Sequence, residues 1–344
     1  MQRAARTISK ASPPTPAPAA ARRIVVIGTG GTIAGTAASA GDAVGYQAGQ
    51  LGIDTLLAGL PLPPGFVFEA EQLAQLDSKD MTHAVWQRLA QHCAQLLAQA
   101  DVAGIVVTHG TDTLEETAYL LARVLAPAKP LLLTAAMRPA TAQSADGPRN
   151  LADSLAIAAL PDARGVLVAA GGALLRGDEV RKSHPWRLDA LTAADAGVLG
   201  WIENGRLRRL RDWPAAGGGL GSGCIEADVA AWPRVDIVTS HAGADGRIVD
   251  ALVAHGSDGI VVACTGNGTL HEQLEAALRR AHAAGVLLLR ASRCGDGALV
   301  EAQESVSEEG DDTLAVPTLP GAGGLTPAQA RVELLLRLLS QRAA

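Results

Sequence analysis

Seven short, continuously apolar runs recur along the chain with helical patterns between them: Ile24–Ile27, Gly104–Val107, Pro130–Thr134, Gly165–Ala169, Val235–Ser240, Gly259–Ala263 and Val286–Arg290. A strand buried on both faces reads as such a run, without the apolar–polar alternation of a half-exposed strand. Between them, Thr82 to Gln99 and Thr113 to Leu125 set Ala, Leu, Val and Trp at helical spacing. Thr82 and either Asp112 or Thr113 are available as N-caps. Strands joined through helices are parallel, their crossovers are right-handed, and the helices cover both sheet faces. A doubly wound α/β sheet is therefore predicted.

At 344 residues the chain exceeds the roughly 250–300 at which single cores stop growing, so two domains are expected. The β-α pattern lapses between about Asn204 and Pro233, where Gly217-Gly-Gly-Leu-Gly-Ser-Gly223 has the composition of a linker. The expected division is a disordered Ala/Pro-rich arm over 1–22, a larger catalytic α/β domain over 23–205, a linker over 206–233, and a smaller α/β domain over 234–344. The last closes on a helix from Pro327 to Leu339. Prolines between Ser12 and Ala20 interrupt any signal-peptide helix, and no apolar run approaches the roughly 20 residues of a membrane span. Cys93, Cys224, Cys264 and Cys294 are widely spaced and contain no Cys-x-x-Cys pair, which fits reduced thiols and a cytoplasmic location. A net charge of −6 with scattered basic residues gives no nucleic-acid groove. The one basic run, Arg206-Leu-Arg-Arg-Leu-Arg211, reads as a solvated loop or helix face.

Chemistry concentrates where two runs end in threonines, at Gly28-Thr-Gly-Gly-Thr32 and Thr108-His-Gly-Thr-Asp-Thr113. Loops at the carboxyl ends of strands form the ligand crevice of an open α/β sheet, so both clusters are placed to face one pocket. Neither is a phosphate motif: Ile33 occupies the third glycine position of a dinucleotide fingerprint, and Thr36 replaces the lysine of a P-loop. The first cluster's glycines also fit a plain tight turn. The second opens a helix whose free N–H groups suit a carboxylate or a developing oxyanion, although Asp112 equally fits an ordinary N-cap and His109 a satisfied structural histidine.

No Gly-x-Ser-x-Gly elbow, His-Glu-x-x-His helix or zinc-spaced Cys/His set is present. His83, His92, His255 and His282 read as surface residues. A threonine nucleophile needs a base, and Lys182 follows the fourth run closely enough to reach the same sheet edge. A Thr111–Lys182–Asp112 relay is then admissible, with a surface ion pair as the alternative.

Further motifs occur in a fixed order: Gly30-Gly-Thr-Ile-Ala34, Asp77-Ser-Lys-Asp-Met81, Thr108-His-Gly-Thr-Asp-Thr-Leu-Glu-Glu-Thr117, Ala136-Met-Arg-Pro139, Ser144-Ala-Asp-Gly-Pro148 and Asn150. Asp258-Gly-Ile-Val261, Gly266-Asn-Gly268, Ser292-Arg293 and Ala330-Arg331 follow. From Arg23 to the C-terminal helix the chain resembles the bacterial-type L-asparaginases. The resemblance implies a larger flavodoxin-like N-terminal domain, a smaller α/β C-terminal domain, and hydrolysis of L-asparagine to L-aspartate and ammonia without metal or cofactor. It also implies a homotetramer of two intimate dimers, in which a neighbour's C-terminal domain completes each site.

Carried over by motif, Thr32 is the nucleophile, Tyr46 lies on the mobile loop behind it, and Thr111 and Lys182 support proton movement. Asp112 holds the substrate ammonium and Ser78 its α-carboxylate. Gly31 lines the substrate site, and the Gly31-Thr32 backbone or the Thr111 helix start supplies the candidate oxyanion donors. Lys79 stands beside the site where secreted members carry Gln. Thr269 and Glu304 match positions supplied by a partner subunit, with Glu301 competing for the second. A glutaminase-asparaginase of broader specificity and a non-catalytic amino-acid sensor are the rival functions.

Overall fold

The structure is a computed structural model and describes residues 22–42, 44–61, 63–300 and 319–343. The first domain is built on β1 (Arg22–Gly30), β2 (Phe66–Leu76), β3 (Val102–Thr108), β4 (Pro130–Thr134) and β5 (Gly165–Ala170). These five are parallel and lie in the order β2-β1-β3-β4-β5, the order of a flavodoxin-like doubly wound sheet. Its winding reverses between β1 and β3, the topological switch point. Beyond β5 three antiparallel strands extend the sheet: β6 (Ala173–Arg176), β7 (Gly200–Glu203) and β8 (Arg206–Arg209).

The buried apolar runs form the sheet interior: Ile24 to Ile27, Ile105 to Val107 and Leu131 to Leu133 are all inaccessible to solvent. Helices α1 (His83–Leu97) and α2 (Leu114–Leu125) pack on one face, and α3 (Gly147–Ala158) on the other. Thr82 caps α1 by accepting the Val85 N–H, as its position predicts.

The second domain is a parallel three-stranded sheet in the order β9 (Val235–Thr239), β10 (Gly259–Cys264), β11 (Leu287–Ser292). Helices α4 (Arg247–Ala254) and α5 (Glu272–Ala283) cover one face, and α6 (Pro327–Ala343) covers the other. The inner residues of α6, among them Ala330, Leu335 and Leu339, join one apolar cluster with α1, α2 and β3 of the first domain. A helix buried on two sides loses the polar stripe of a surface helix, and α6 is accordingly leucine-rich around most of its circumference. Its Glu333 is buried and accepts hydrogen bonds from Tyr119 Oη at 3.0 Å and from the Nε atoms of Arg123 and Arg337 at 2.9 Å.

Four expectations change. Strand β1 starts at Arg22, inside the expected arm, whose other residues lie outside the described ones. The expected linker opens with β8, the outer strand of the large sheet, because Asn204 and Gly205, both at positive φ, turn β7 back on itself. The rest of that segment is anchored by buried Trp213, Ile225 and Trp232. The Arg206–Arg211 run is therefore largely a solvated edge strand, not a loop or helix face, and charged side chains on an edge discourage pairing with other chains. Finally, His83 and His92 are half-buried: His83 stacks on Trp86 and Trp232, and His92 pairs with Glu71. None of the four cysteines is disulfide-bonded, and among the described residues no helix is long and apolar enough to cross a membrane.

Candidate active site

Register brings the chemistry together. Gly28 on β1 is paired with Thr108 on β3, and Gly30 with Leu76 at the end of β2, so the loops leaving three adjacent strands start at one level. Gly31 follows at φ 82°, where a Cβ would lie 2.4 Å from the Gly110 nitrogen. A Cβ on Gly110 would in turn lie 2.4 Å from Ser78 Oγ. Only glycine permits that approach, and it sets the Thr32, Thr111 and Ser78 loops in direct contact across the switch point.

The Gly31 N–H donates to Leu76 O at 2.8 Å, which removes it as an oxyanion donor and leaves the Thr32 N–H next to it. The Gly31 carbonyl accepts from Gly49 N at 3.0 Å, anchoring the far end of the loop that carries Tyr46. Within that loop Tyr46–Gln47 pairs antiparallel with Thr36–Ala37 and returns Tyr46 Oη to 2.7 Å from Thr32 Oγ1. Thr32 is 7% exposed and Thr111 5%, so both hydroxyls sit where water has little access.

Lys182 comes from a two-residue strand, Arg181–Lys182, paired with Leu191–Thr192. Its Nζ donates to Thr111 Oγ1 at 2.9 Å and to Asp112 Oδ1 at 2.6 Å. The lysine side chain is 19% exposed against 53% for Asp112, so this is a mostly buried ammonium whose partner opens toward solvent, not a free surface pair. Thr113 occupies the N-cap position of α2 without capping it; its hydroxyl donates instead to Ser78 O at 2.8 Å. Ser78 Oγ is buried with no hydrogen-bond partner among the described residues.

Lys79 turns to Asp80 at 2.7 Å and Asp77 at 3.3 Å, so its charge is offset on its own loop. Thr269 lies exposed in the loop after β10 and bonds to Thr265, with an Oγ1–Oγ1 distance of 2.8 Å; among the described residues none of its hydrogen bonds joins the threonine cluster. Glu301 and Glu304 lie outside the described residues. Among the described residues no group of three or more His, Cys, Asp or Glu is placed to hold a metal ion. Two groups for which sequence reasoning finds no role also enter: Glu115, which accepts the Lys182 N–H at 2.7 Å, and Asp146, which accepts the N–H groups of Met137 and Arg138 at 3.0 Å and so shapes the loop after β4.

His109 takes the structural role. It is fully buried, its Nδ1–H donates to Gly110 O at 2.7 Å, and its Nε2 accepts from Thr117 Oγ1 at 2.9 Å, which accepts in turn from Trp86 Nε1 at 2.8 Å. Burial lowers its pKa to about 4, the Gly110 hydrogen bond opposing weakly. The unfolded histidine titrates near 6.5, so between these values the unfolded chain binds a proton that the folded chain does not. Stability from this residue is full above about pH 6.5 and falls as pH drops toward 4, by about 2–3 kcal/mol at pH 4.5. Denaturant titrations of wild type and His109→Gln at pH 7 and 4.5 check this: the stability gap between them narrows by that amount at the lower pH. A gap independent of pH excludes a buried neutral imidazole.

Fold and site together define a class: a two-domain α/β protein with two threonine hydroxyls, one beside a tyrosine and one on a lysine–aspartate pair, at the switch point of a flavodoxin-like sheet. Residues 23–214 match the family model "Asparaginase, N-terminal", and residues 234–343 match "Glutaminase/Asparaginase C-terminal domain". The chain belongs to the asparaginase family. It is 36% identical over 318 residues to L-asparaginase 2 of Escherichia coli K12, covering 92% of this chain and 88% of that one. To the glutaminase-asparaginase of Pseudomonas fluorescens biotype A it is 34% identical, covering 92% and 86%. The crystal structure of a probable cytoplasmic L-asparaginase from Campylobacter jejuni superposes with a TM-score of 0.83 at 34% identity, covering 94% of this chain and 98% of that one.

Proposed function

We propose that this protein is an amidohydrolase that converts L-asparagine to L-aspartate and ammonia through an ester on Thr32. The observation that carries the reading is the Gly31–Gly110 contact, which brings two separately supported hydroxyls to one place: Thr32 beside Tyr46, and Thr111 on Lys182 and Asp112. Thr32 Oγ attacks the side-chain amide carbon as its proton leaves through the neighbouring hydroxyls. The amide nitrogen departs as ammonia after taking up a proton, and a β-aspartyl ester remains.

Water positioned by Thr111 and its lysine then cleaves the ester: its oxygen adds to the acyl carbon, and one of its protons passes to Thr32 Oγ as the threonine hydroxyl is released. The Thr32 N–H and the amides at the start of α2 are the donors available to the developing oxyanion. The half-exposed Asp112 carboxylate suits the substrate ammonium, and the unpaired Ser78 hydroxyl suits its α-carboxylate. Lys79, offset by Asp77 and Asp80, adds little net charge to that end of the site.

On this reading the reacting groups come from the domain spanning 23–205, and Thr269 and Glu304 serve a neighbour's site in a homotetramer. A cytoplasmic location accords with the unpaired cysteines, and the structurally similar Campylobacter jejuni protein is described as a probable cytoplasmic L-asparaginase. Ammonia release measured side by side on L-asparagine, L-glutamine and D-asparagine tests the substrate. One methylene of side chain is worth about 1–3 kcal/mol in a fitted pocket, so kcat/KM for L-asparagine is expected to exceed that for L-glutamine by about 10-fold or more. Equal rates on both would make it a broad glutaminase-asparaginase. Binding of L-aspartate with no ammonia from any substrate would make it a sensor.

A further inference from the structure

The strand that delivers Lys182 is two residues long and pairs only with Leu191–Thr192, far too little to set an ammonium within a few tenths of an ångström. Its position comes from side chains around it. Gln329 Nε2 donates to Val180 O at 2.8 Å, and the Arg181 guanidinium donates to Gly295 O at 2.6 Å and Gly324 O at 2.9 Å. The Lys182 N–H donates to Glu115 Oε2 at 2.7 Å, while Glu115 Oε1 accepts from Thr326 Oγ1 at 3.0 Å. Gln329, Gly295, Gly324 and Thr326 all belong to the C-terminal domain.

Glu115 stands in the first turn of α2, four residues after Thr111 and three after Asp112. The start of α2 and the turn before it therefore grip the lysine twice: Thr111 and Asp112 in the turn hold the ammonium, and Glu115 in the first helical turn holds the backbone amide of the same residue. Burial pushes the Glu115 carboxyl up, and the two hydrogen bonds with the charges of Arg181 and Lys182 oppose that rise. A half-buried carboxylate kept with both oxygens engaged costs more than an exposed glutamate would for the same helix-dipole benefit.

We propose that Glu115 is a positioning residue. It fixes Lys182 at the N-terminal end of α2, beside the turn that carries Thr111 and Asp112, and, through Thr326, ties that geometry to the C-terminal domain. The inference rests on the reading of Lys182 as part of the reacting site. Glu115→Gln keeps an oxygen for the Lys182 N–H and turns its NH₂ toward the Thr326 hydroxyl, which can accept; Glu115→Ala removes both contacts.

The test is kcat and KM on L-asparagine for the full chain carrying Glu115→Ala, Glu115→Gln, Lys182→Ala, Thr326→Val and the double variant Glu115→Ala/Lys182→Ala. Misplacement of a reacting group by about 1 Å costs on the order of 100-fold, so Glu115→Ala is expected to lose about that in kcat with KM changed less than about threefold. By the same geometric argument Glu115→Gln stays within about fivefold of wild type, and Thr326→Val, losing one of the two contacts, falls between. The double variant is no slower than Lys182→Ala alone, because Glu115 acts only through the lysine. Wild-type kcat in Glu115→Ala, or a double variant slower than Lys182→Ala by the full single-variant factor, overturns the proposal. If Glu115→Ala fails to fold, Thr326→Val in the two lysine backgrounds decides by the same comparison. Wild-type kcat in Lys182→Ala instead strikes the underlying reading of the site.

Discussion

Replacing Thr32 by alanine is expected to lower turnover of L-asparagine by about 10⁴-fold, a barrier increase of about 5.5 kcal/mol, while the protein folds normally. Among the described residues the side chain makes one hydrogen bond, to Tyr46, and the loop is shaped by backbone bonds that alanine preserves: Gly31 N to Leu76 O, and Gly35 N to Thr32 O at 2.8 Å. Loss of that bond costs about 0.5–1.5 kcal/mol of stability, too little to unfold a chain with a core of this size. The companion variant Thr111→Val keeps shape and removes the hydroxyl that Lys182 holds. Mass spectrometry of acid-quenched enzyme separates their roles. Thr32→Ala forms no ester, whereas Thr111→Val accumulates ester if its hydroxyl chiefly positions the hydrolytic water. An ester on Thr32→Ala, or full turnover without the hydroxyl, moves the nucleophile elsewhere.

Why Thr32 can be singled out, and other residues cannot, follows from where each lies in the sheet. Strands β1, β3, β4 and β5 are buried on both faces and announce themselves as unbroken apolar runs. The threonines that end the first two are legible for the same reason. Strand β2 is the eleven-residue edge next to β1, and its Glu69, Glu71, Gln72 and Gln75 erase any run. An edge strand is recognised by what it pairs with, not by its own composition. Yet β2 delivers Ser78, so one wall of the site hangs on the strand least visible in sequence.

The β7–β8 hairpin did carry a signal: Asn204-Gly205 between extended segments is the strongest short-range mark of a two-residue turn, and the glycine-rich stretch after it obscures that mark. Lys182 depends on a different kind of information. Nothing local sets it apart from a surface lysine, and its partners lie 70 and 71 residues away across the sheet edge. The same holds for Glu115, whose contacts reach 67 residues to Lys182 and 211 to Thr326. Groups that touch along the chain, such as Lys79 with Asp77 and Asp80, are readable locally; groups that converge through topology are readable only as far as strand order places them, which reaches Lys182 as an admissible partner of Thr111 and Asp112 and does not reach Glu115.

Gly31→Ala is expected to damage the site more than any change at a residue that makes no side-chain contact has a right to do. Two costs add. Alanine at φ 82° is strained by about 1–3 kcal/mol, and its Cβ would lie 2.4 Å from Gly110 N, 2.5 Å from Gly110 Cα and 2.7 Å from the His109 carbonyl carbon. Those neighbours are backbone and cannot swing away, so relief requires the two loops to part, at a further cost of about 1–3 kcal/mol for overpacking. A separation of about 1 Å between the Thr32 and Thr111 loops is enough to lose on the order of 100-fold in turnover. Expected together are a stability loss of about 2–6 kcal/mol by denaturant titration and a kcat below about 1% of wild type. The contrast that makes the test specific is Gly59→Ala, also at positive φ, at 77°, but with nothing within 4 Å of its Cβ. It carries the backbone strain alone, and should lose stability by about 1–3 kcal/mol with turnover retained. Equal turnover in the two variants would mean that the approach of Gly31 to Gly110 does not hold the reacting hydroxyls together.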